Sequence, residues 1–280
     1  MDKITTLKLA EFKRQGRKIT ALTAYDAPFA RMMEDAGVDL ILVGDSVGMA
    51  MHGKADTLSV TMDEMVLHAR AVASAVKRPM VVVDMPFMSF QVSKEKAVEN
   101  AGRLIKETGA QAVKLEGGEK LSATIRAIAD AGIPVMGHVG LTPQSVHQLG
   151  GYRVQGKQPE AARRLIADAK AVEKAGAFSL VLEAVPAELG AVVTASLHIP
   201  TIGIGAGAGC DGQILVMHDM FGISDGPHPR FVKTYVNMRE QAVNAFKEYV
   251  DEVRDARFPA AEHCYHARDG TPLSVVAKKR

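Results

Sequence analysis

The chain has 280 residues, 47% of them hydrophobic and 24% charged, with a formal charge of +2 and two cysteines. That length suits one α/β barrel domain over residues 1–280, with the barrel at about 19–256 and a tail at about 258–280. Lys and Arg form no stripe, which argues against a nucleic-acid partner, and Cys210 and Cys264 are too few for a disulfide framework or a thiolate metal site.

Met1 to Lys18 lacks the apolar centre of a secretory signal, and the apolar runs fall well short of the roughly 18 residues of a membrane span. A cytoplasmic protein with no membrane partner is expected. Leu7 to Gln15 reads as an amphipathic helix closed by Gly16. Ile19 to Tyr25 reads as a first strand, followed by a helix through Pro28 that stops at Gly37. Leu40 to Val43 is apolar with no helical period, the pattern of a strand buried on both faces, and it runs into Asp45.

Val47 to Val60 is too irregular for an element and has the length of a lid. Thr61 and Glu64 form a capping-box pattern that opens a helix to about Lys77. Strand three ends at Asp84, a helix spans Ser93 to Thr108, and strand four ends at Glu116. Glu119 to Asp130 is helical, and Ile133 to Val139 is strand five. A second long loop covers Gly140 to Gln158, and Pro159 then opens a helix to Lys174. Phe178 to Glu183, Ile199 to Gly205 and Gln213 to Met217 complete the strands, with a short helix from Ala187 to Leu197 and a long last helix from Phe231 to Arg254. Eight strands separated mostly by helices predict a closed (β/α)8 barrel, with an N-terminal helix and a C-terminal helix plus tail, over an open doubly wound sheet.

Gly203, Gly205 and Gly207 superficially resemble a dinucleotide fingerprint. They follow strand seven and lead straight into another strand, so close backbone packing at the barrel mouth is the better reading. His138, His147, His198, His218 and His228 have no partner at zinc-ligand spacing. The acidic strand ends carry more. Side chains alternate along a strand, which pairs Val43 with Asp45, Val82 with Asp84, Lys114 with Glu116, Met136 with His138 and Val181 with Glu183 on common faces. In a barrel those faces gather four carboxylates, Lys114 and His138 at one mouth. Self-repulsion among the carboxylates calls for a cation, and an oxygen-only cluster suits Mg²⁺ with a small oxyanionic substrate.

Several blocks then show a resemblance: Gly44-Asp-Ser46, Asp84-Met-Pro-Phe87, Val113-Lys-Leu-Glu-Gly117, Gly137-His-Val-Gly-Leu-Thr-Pro-Gln144, Leu182-Glu-Ala-Val-Pro186, and Ile202 to Gly207 with Cys210-Asp-Gly212. Over about Thr5 to His263 the sequence resembles the ketopantoate hydroxymethyltransferase family, whose barrel is similar to those of phosphoenolpyruvate mutase and isocitrate lyase. The resemblance implies transfer of a hydroxymethyl group from 5,10-methylenetetrahydrofolate to 3-methyl-2-oxobutanoate through a Mg²⁺-stabilised enolate, the first committed step towards pantothenate and coenzyme A. By position, Asp45 and Asp84 match the Mg²⁺ ligands, and Glu116 matches a carboxylate that reaches the metal through water. Asp45, Ser46, Asp84 and Lys114 match the contacts to the 2-oxo acid, Glu183 matches the proton acceptor, and His138 is a further site residue. A homo-oligomer, in this family a decamer, is implied as well.

Ser59 stands where the family has Pro, and the tail from Ala267 to Arg280 has no family counterpart. One rival reading is a carbon–carbon or carbon–phosphorus lyase on the same barrel. Those enzymes typically carry a mobile Lys-Lys-Cys-Gly-His-type loop, and no such segment is present. A retired enzyme serving as an assembly protein is the other rival, and nothing in the site pattern is damaged.

Overall fold

The computed structural model describes residues 2–224 and 228–266. Its strands are β1 (Ile19–Thr23), β2 (Leu40–Val43), β3 (Met80–Asp84), β4 (Ala112–Glu116), β5 (Val135–Gly140), β6 (Ser179–Glu183), β7 (Thr201–Ile204) and β8 (Gly212–Leu215). They close in sequence order into a parallel barrel, with β1 paired to both β2 and β8, as the alternation of strand and helix patterns predicts. Alternating side chains divide the core into two layers. Leu40, Leu42, Met80, Val82, Ala112, Met136, Val181 and Ile202 fill the barrel. Ile41, Val43, Val81, Val83, Val113, Leu115, Leu180 and Leu182 face the surrounding helices.

Helix α1 (Thr6–Arg14), capped by the Thr5 side chain, closes the N-terminal end of the barrel by packing Leu9 and Phe12 into the inner layer. Its charge is anchored nearby, where Lys13 reaches Asp211 at 2.7 Å. Around the barrel follow α2 (Ala27–Asp35), α3 (Val47–Ala50), α4 (Met62–Ala73), α5 (Lys94–Thr108), α6 (Ser122–Asp130), α7 (Val146–Leu149), α8 (Pro159–Lys174), α9 (Ala187–Ala195), α10 (Met217–Met220) and α11 (Met238–Arg254). The capping box at Thr61 and Glu64 is present, although α4 stops at Ala73, short of Lys77. Gly207 and Gly209 do pack closely. A Cβ on Gly207, whose φ is +81°, would lie 2.5 Å from the Cβ of Ala187, and one on Gly209 would lie 2.8 Å from that of Ala191.

Three expectations need correction. The segment after β2 is not wholly irregular, because it begins with α3, and residues 51–60 are tied down by Lys54, whose ammonium reaches Glu64 at 2.7 Å and the Ser59 carbonyl at 3.2 Å. The loop after β5 contains a 3₁₀ turn at Pro143–Ser145 and then α7. The last helix starts at Met238, not Phe231, because Tyr235 and Met238 donate their main-chain N–H groups to Met220 and Phe221 and hold the preceding chain against α10, while Asn237 caps the helix. Of the proposed tail, residues 267–280 lie outside the described residues, and the part before them contains one 3₁₀ turn, Ala261–His263. Among the described residues no helix is long and apolar enough to cross a membrane.

Candidate active site

The C-terminal ends of the strands open into a cavity of about 1300 Å³ that Asp45, Asp84, Lys114, Glu116, His138 and Glu183 all line. Strand parity delivers five of them: Asp84, Lys114, Glu116, His138 and Glu183 share their inward faces with residues of the inner layer such as Val82, Ala112, Met136 and Val181. Asp45 arrives differently. Its parity partner Val43 faces the outer layer, so alternation would have sent Asp45 away from the barrel axis. The strand ends at Val43, and the chain turns at Gly44, where a Cβ would lie 2.7 Å from Ser46 Oγ. The turn aims Asp45 into the cavity, and its main-chain N–H donates to Asp84 Oδ2 at 3.0 Å.

Charge at these strand ends is not relieved by solvent. Asp45, Asp84, Lys114, Glu116 and His138 are each at most 5% exposed, and only Glu183 keeps partial access. The Lys114 ammonium lies 2.8 Å from Asp84 Oδ1 and 3.3 Å from His138 Nδ1. His138 stands 3.6 Å from Glu116 Oε1 through Nδ1 and 3.1 Å from Glu183 Oε2 through Nε2. Ser46 Oγ is 2.8 Å from the hydroxyl of the buried Tyr25.

The environment sets the protonation states. Burial, followed by the Asp84 and Glu116 charges, pushes the Asp45 carboxyl well above the usual range. Burial also raises Asp84, outweighing Lys114. Burial opposes charge on Lys114, but Asp84, Glu116 and Asp45 overcome it and keep the ammonium protonated. For His138, burial and Lys114 press the imidazole down, and the carboxylates of Glu116 and Glu183 outweigh both and lift it to about 9. Burial phenolically silences Tyr25, whose hydroxyl is pushed far up.

These donors fit a hard divalent cation. Four carboxyl groups crowd one mouth beside Lys114 and His138, and a bound cation would relieve the burial and repulsion that raise Asp45 and Asp84. Glu116 Oε1 is buried without a hydrogen-bond donor, and Asp84 Oδ1 has the Lys114 ammonium beside it at 2.8 Å. Among the described residues no three His, Cys, Asp or Glu side chains form a complete ligand set. A cation seated here would draw its remaining ligands from water and substrate, as Mg²⁺ commonly does.

Two site residues lay beyond sequence reasoning. Gln144, in a quoted block but given no role, donates through Nε2 to Asp45 Oδ2 at 2.8 Å and through its main chain to Glu116 Oε2 at 2.9 Å. Tyr25, at the exit of β1, carried no signal beyond its place after an apolar strand.

The ketopantoate hydroxymethyltransferase family model matches residues 3–261. A 3-methyl-2-oxobutanoate hydroxymethyltransferase of Thermoanaerobacter sp. is 54% identical over 264 residues, covering 94% of this chain and 96% of that protein. One of Desulforapulum autotrophicum is 55% identical over 263 residues, covering 94% of this chain and 98% of its own. Among solved structures, a phosphonopyruvate hydrolase in complex with oxalate and Mg²⁺ aligns with a TM-score of 0.61 at 16% identity, covering 94% of this chain and 93% of that one, which is a likeness of fold. The family match spans all eight strands, and on that ground this chain is a transferase that belongs to the ketopantoate hydroxymethyltransferase family.

Proposed function

We propose that the reaction of this family, hydroxymethyl transfer to 3-methyl-2-oxobutanoate to give ketopantoate, starts here with proton abstraction at C3 by Glu183, beside a Mg²⁺ ion held by Asp45 and Asp84 with Glu116 behind it. The observation that carries this reading is the buried cluster itself: Glu116 Oε1 has no hydrogen-bond donor, and Asp45, Asp84 and Glu116 stand so close that burial and then their mutual repulsion raise the Asp45 carboxyl. Mg²⁺, when bound, supplies Lewis-acid polarisation of the 2-oxo group.

The chain's own residues do the rest. Lys114 and the Ser46 hydroxyl bind the carboxylate and oxo oxygens of the acid and orient C3 towards Glu183. Glu183 is the carboxylate of the set that keeps partial solvent access, and His138 at 3.1 Å holds it in place. Water hydrolyses the two C–N bonds of the methylene bridge of 5,10-methylenetetrahydrofolate, its two hydrogens going to the nitrogens of tetrahydrofolate and its oxygen staying on the released carbon as formaldehyde. The C3 proton passes to Glu183, the electron pair left on C3 adds to that carbonyl carbon, and Glu183 returns the proton to the oxygen to complete the hydroxymethyl group. The cavity supports a second, larger reactant, since about 1300 Å³ far exceeds a five-carbon acid and extends to Tyr152, Arg153 and Phe231.

A cytoplasmic homo-oligomer completes the reading. Helix α11 has no buried residue and presents Phe246, Tyr249 and Val253 to solvent, an apolar face that a second subunit would cover. The test of the chemistry is a half-reaction: the C3 proton of 3-methyl-2-oxobutanoate should exchange with D₂O in the presence of enzyme and Mg²⁺ without folate, followed by proton NMR. Absence of exchange, also with an unreactive folate analogue added, would sink the assignment of Glu183.

A further inference from the structure

We infer that Gln144 is a positioning residue that fixes which oxygens of Asp45 and Glu116 are presented to the cation. The inference rests on the metal reading above. Gln144 lies on the 3₁₀ turn after β5 and is 6% exposed. Its Nε2 donates to Asp45 Oδ2 at 2.8 Å and to the Met85 carbonyl at 2.9 Å, which uses both amide hydrogens. Its Oε1 accepts from Gln91 Nε2 at 3.2 Å, and its main-chain N–H donates to Glu116 Oε2 at 2.9 Å. One residue from the exit of β5 thus reaches the ends of β2, β3 and β4.

The consequence is a sorting of oxygens. Asp45 Oδ2 and Glu116 Oε2 are engaged by Gln144, and Glu116 Oε1 is left buried with no hydrogen-bond donor. A carboxylate free to rotate would present either oxygen. One held through a single oxygen presents the other at a fixed place, which is how outer hydrogen bonds organise metal ligands. The residue type follows from the charge balance. A Lys or Arg at this position would compete with the cation for the same carboxylates, and an acid would add another negative charge to a cluster where burial and then repulsion already lift Asp45. An amide donates twice without changing the charge.

The test is Mg²⁺ titration by calorimetry on the full chain, alongside kcat, KM and thermal melting. Gln144→Met keeps the length of the side chain and the main-chain bond to Glu116 but removes both amide donors, and the apparent Mg²⁺ Kd is expected to rise roughly 10- to 100-fold, the usual cost of losing an outer-shell partner. Gln144→Asn, whose amide is one methylene short of spanning Asp45 and Met85, should fall between, and it keeps the test alive if the Met variant does not fold. Gln91→Met, which removes the donor to Oε1 and the acceptor for the Phe90 main-chain N–H but leaves both Gln144 donors in place, should leave Mg²⁺ affinity near that of the wild type. A purely architectural role would lower the melting temperature and leave the Mg²⁺ affinity of the folded protein unchanged. That result in both Gln144 variants overturns the inference alone. Should the wild type show no Mg²⁺ binding that Asp84→Asn abolishes, the metal reading falls and this inference falls with it.

Discussion

The main-chain N–H of Asp45 donates to Asp84 Oδ2 at 3.0 Å, so the two acidic strand ends of β2 and β3 are locked together by a bond that leaves Asp84 Oδ1 facing Lys114. Asp84 therefore has two tasks, one structural and one directed at the cavity, and they can be separated. Asp84→Asn keeps an acceptor for Asp45 but removes the charge. It is expected to weaken Mg²⁺-supported binding of the 2-oxo acid by at least about tenfold and to lower the melting temperature, because breaking a buried pair strands the Lys114 ammonium at a cost of roughly 3–5 kcal/mol. Asp84→Asn with Lys114→Met should regain stability without regaining binding. Melting curves and calorimetry on the three proteins check both halves.

Glu183→Gln preserves shape and the contact with His138 while removing the basic oxygen. Substrate and metal binding should persist, and C3 exchange in D₂O should fall by roughly 10²- to 10⁴-fold, the contribution of a positioned general base. Exchange that continues undiminished in this variant would move the role of base to another group.

Glu64 offers a pH test away from the cavity. The hydrogen bond from Lys54, then that from the Thr61 main chain, depresses its carboxyl from 4.5 to about 2. A depressed folded-state value stabilises the protein above the unfolded value, and that contribution is lost as pH falls from 4.5 towards 2. Glu64→Gln should therefore be less stable than the wild type near neutrality, and the gap should close across that acid window. Denaturant titrations at several pH values measure it. Thr61→Ala, which removes the other half of the capping box, should cost about 0.5–2 kcal/mol at neutral pH.

For α11 the expected outcome concerns assembly. Phe246, at 68% exposure, and Tyr249, at 56% and edge-on to Phe258, lie on a helix none of whose residues is buried. Phe246→Asp with Tyr249→Asp should shift the protein to smaller species in sedimentation velocity and leave the barrel's circular dichroism in place. An unchanged sedimentation profile would remove this face from the subunit interface.

How much of this was written in the sequence depends on the range of the forces involved. The barrel was legible because each buried strand must be apolar on both faces, and each β-strand ending in a polar residue repeats a local rule. Asp84, Lys114, Glu116, His138 and Glu183 followed from alternation, since a side chain two positions from an inner-layer residue must share its face. The helix cap at Thr61 was legible for the same local reason. Alternation failed for Asp45, because the strand ends before it and a turn at Gly44 resets its direction. The start of α11 was misplaced: Val232, Thr234, Tyr235 and Val236 are weak helix formers, and main-chain bonds to Met220 and Phe221 hold this stretch out of the helix. Burial of the charges and the reach of Gln144 to three strand ends were decided only by the closed barrel. They depend on which strands become neighbours and how far each one extends, quantities that no spacing along one chain contains.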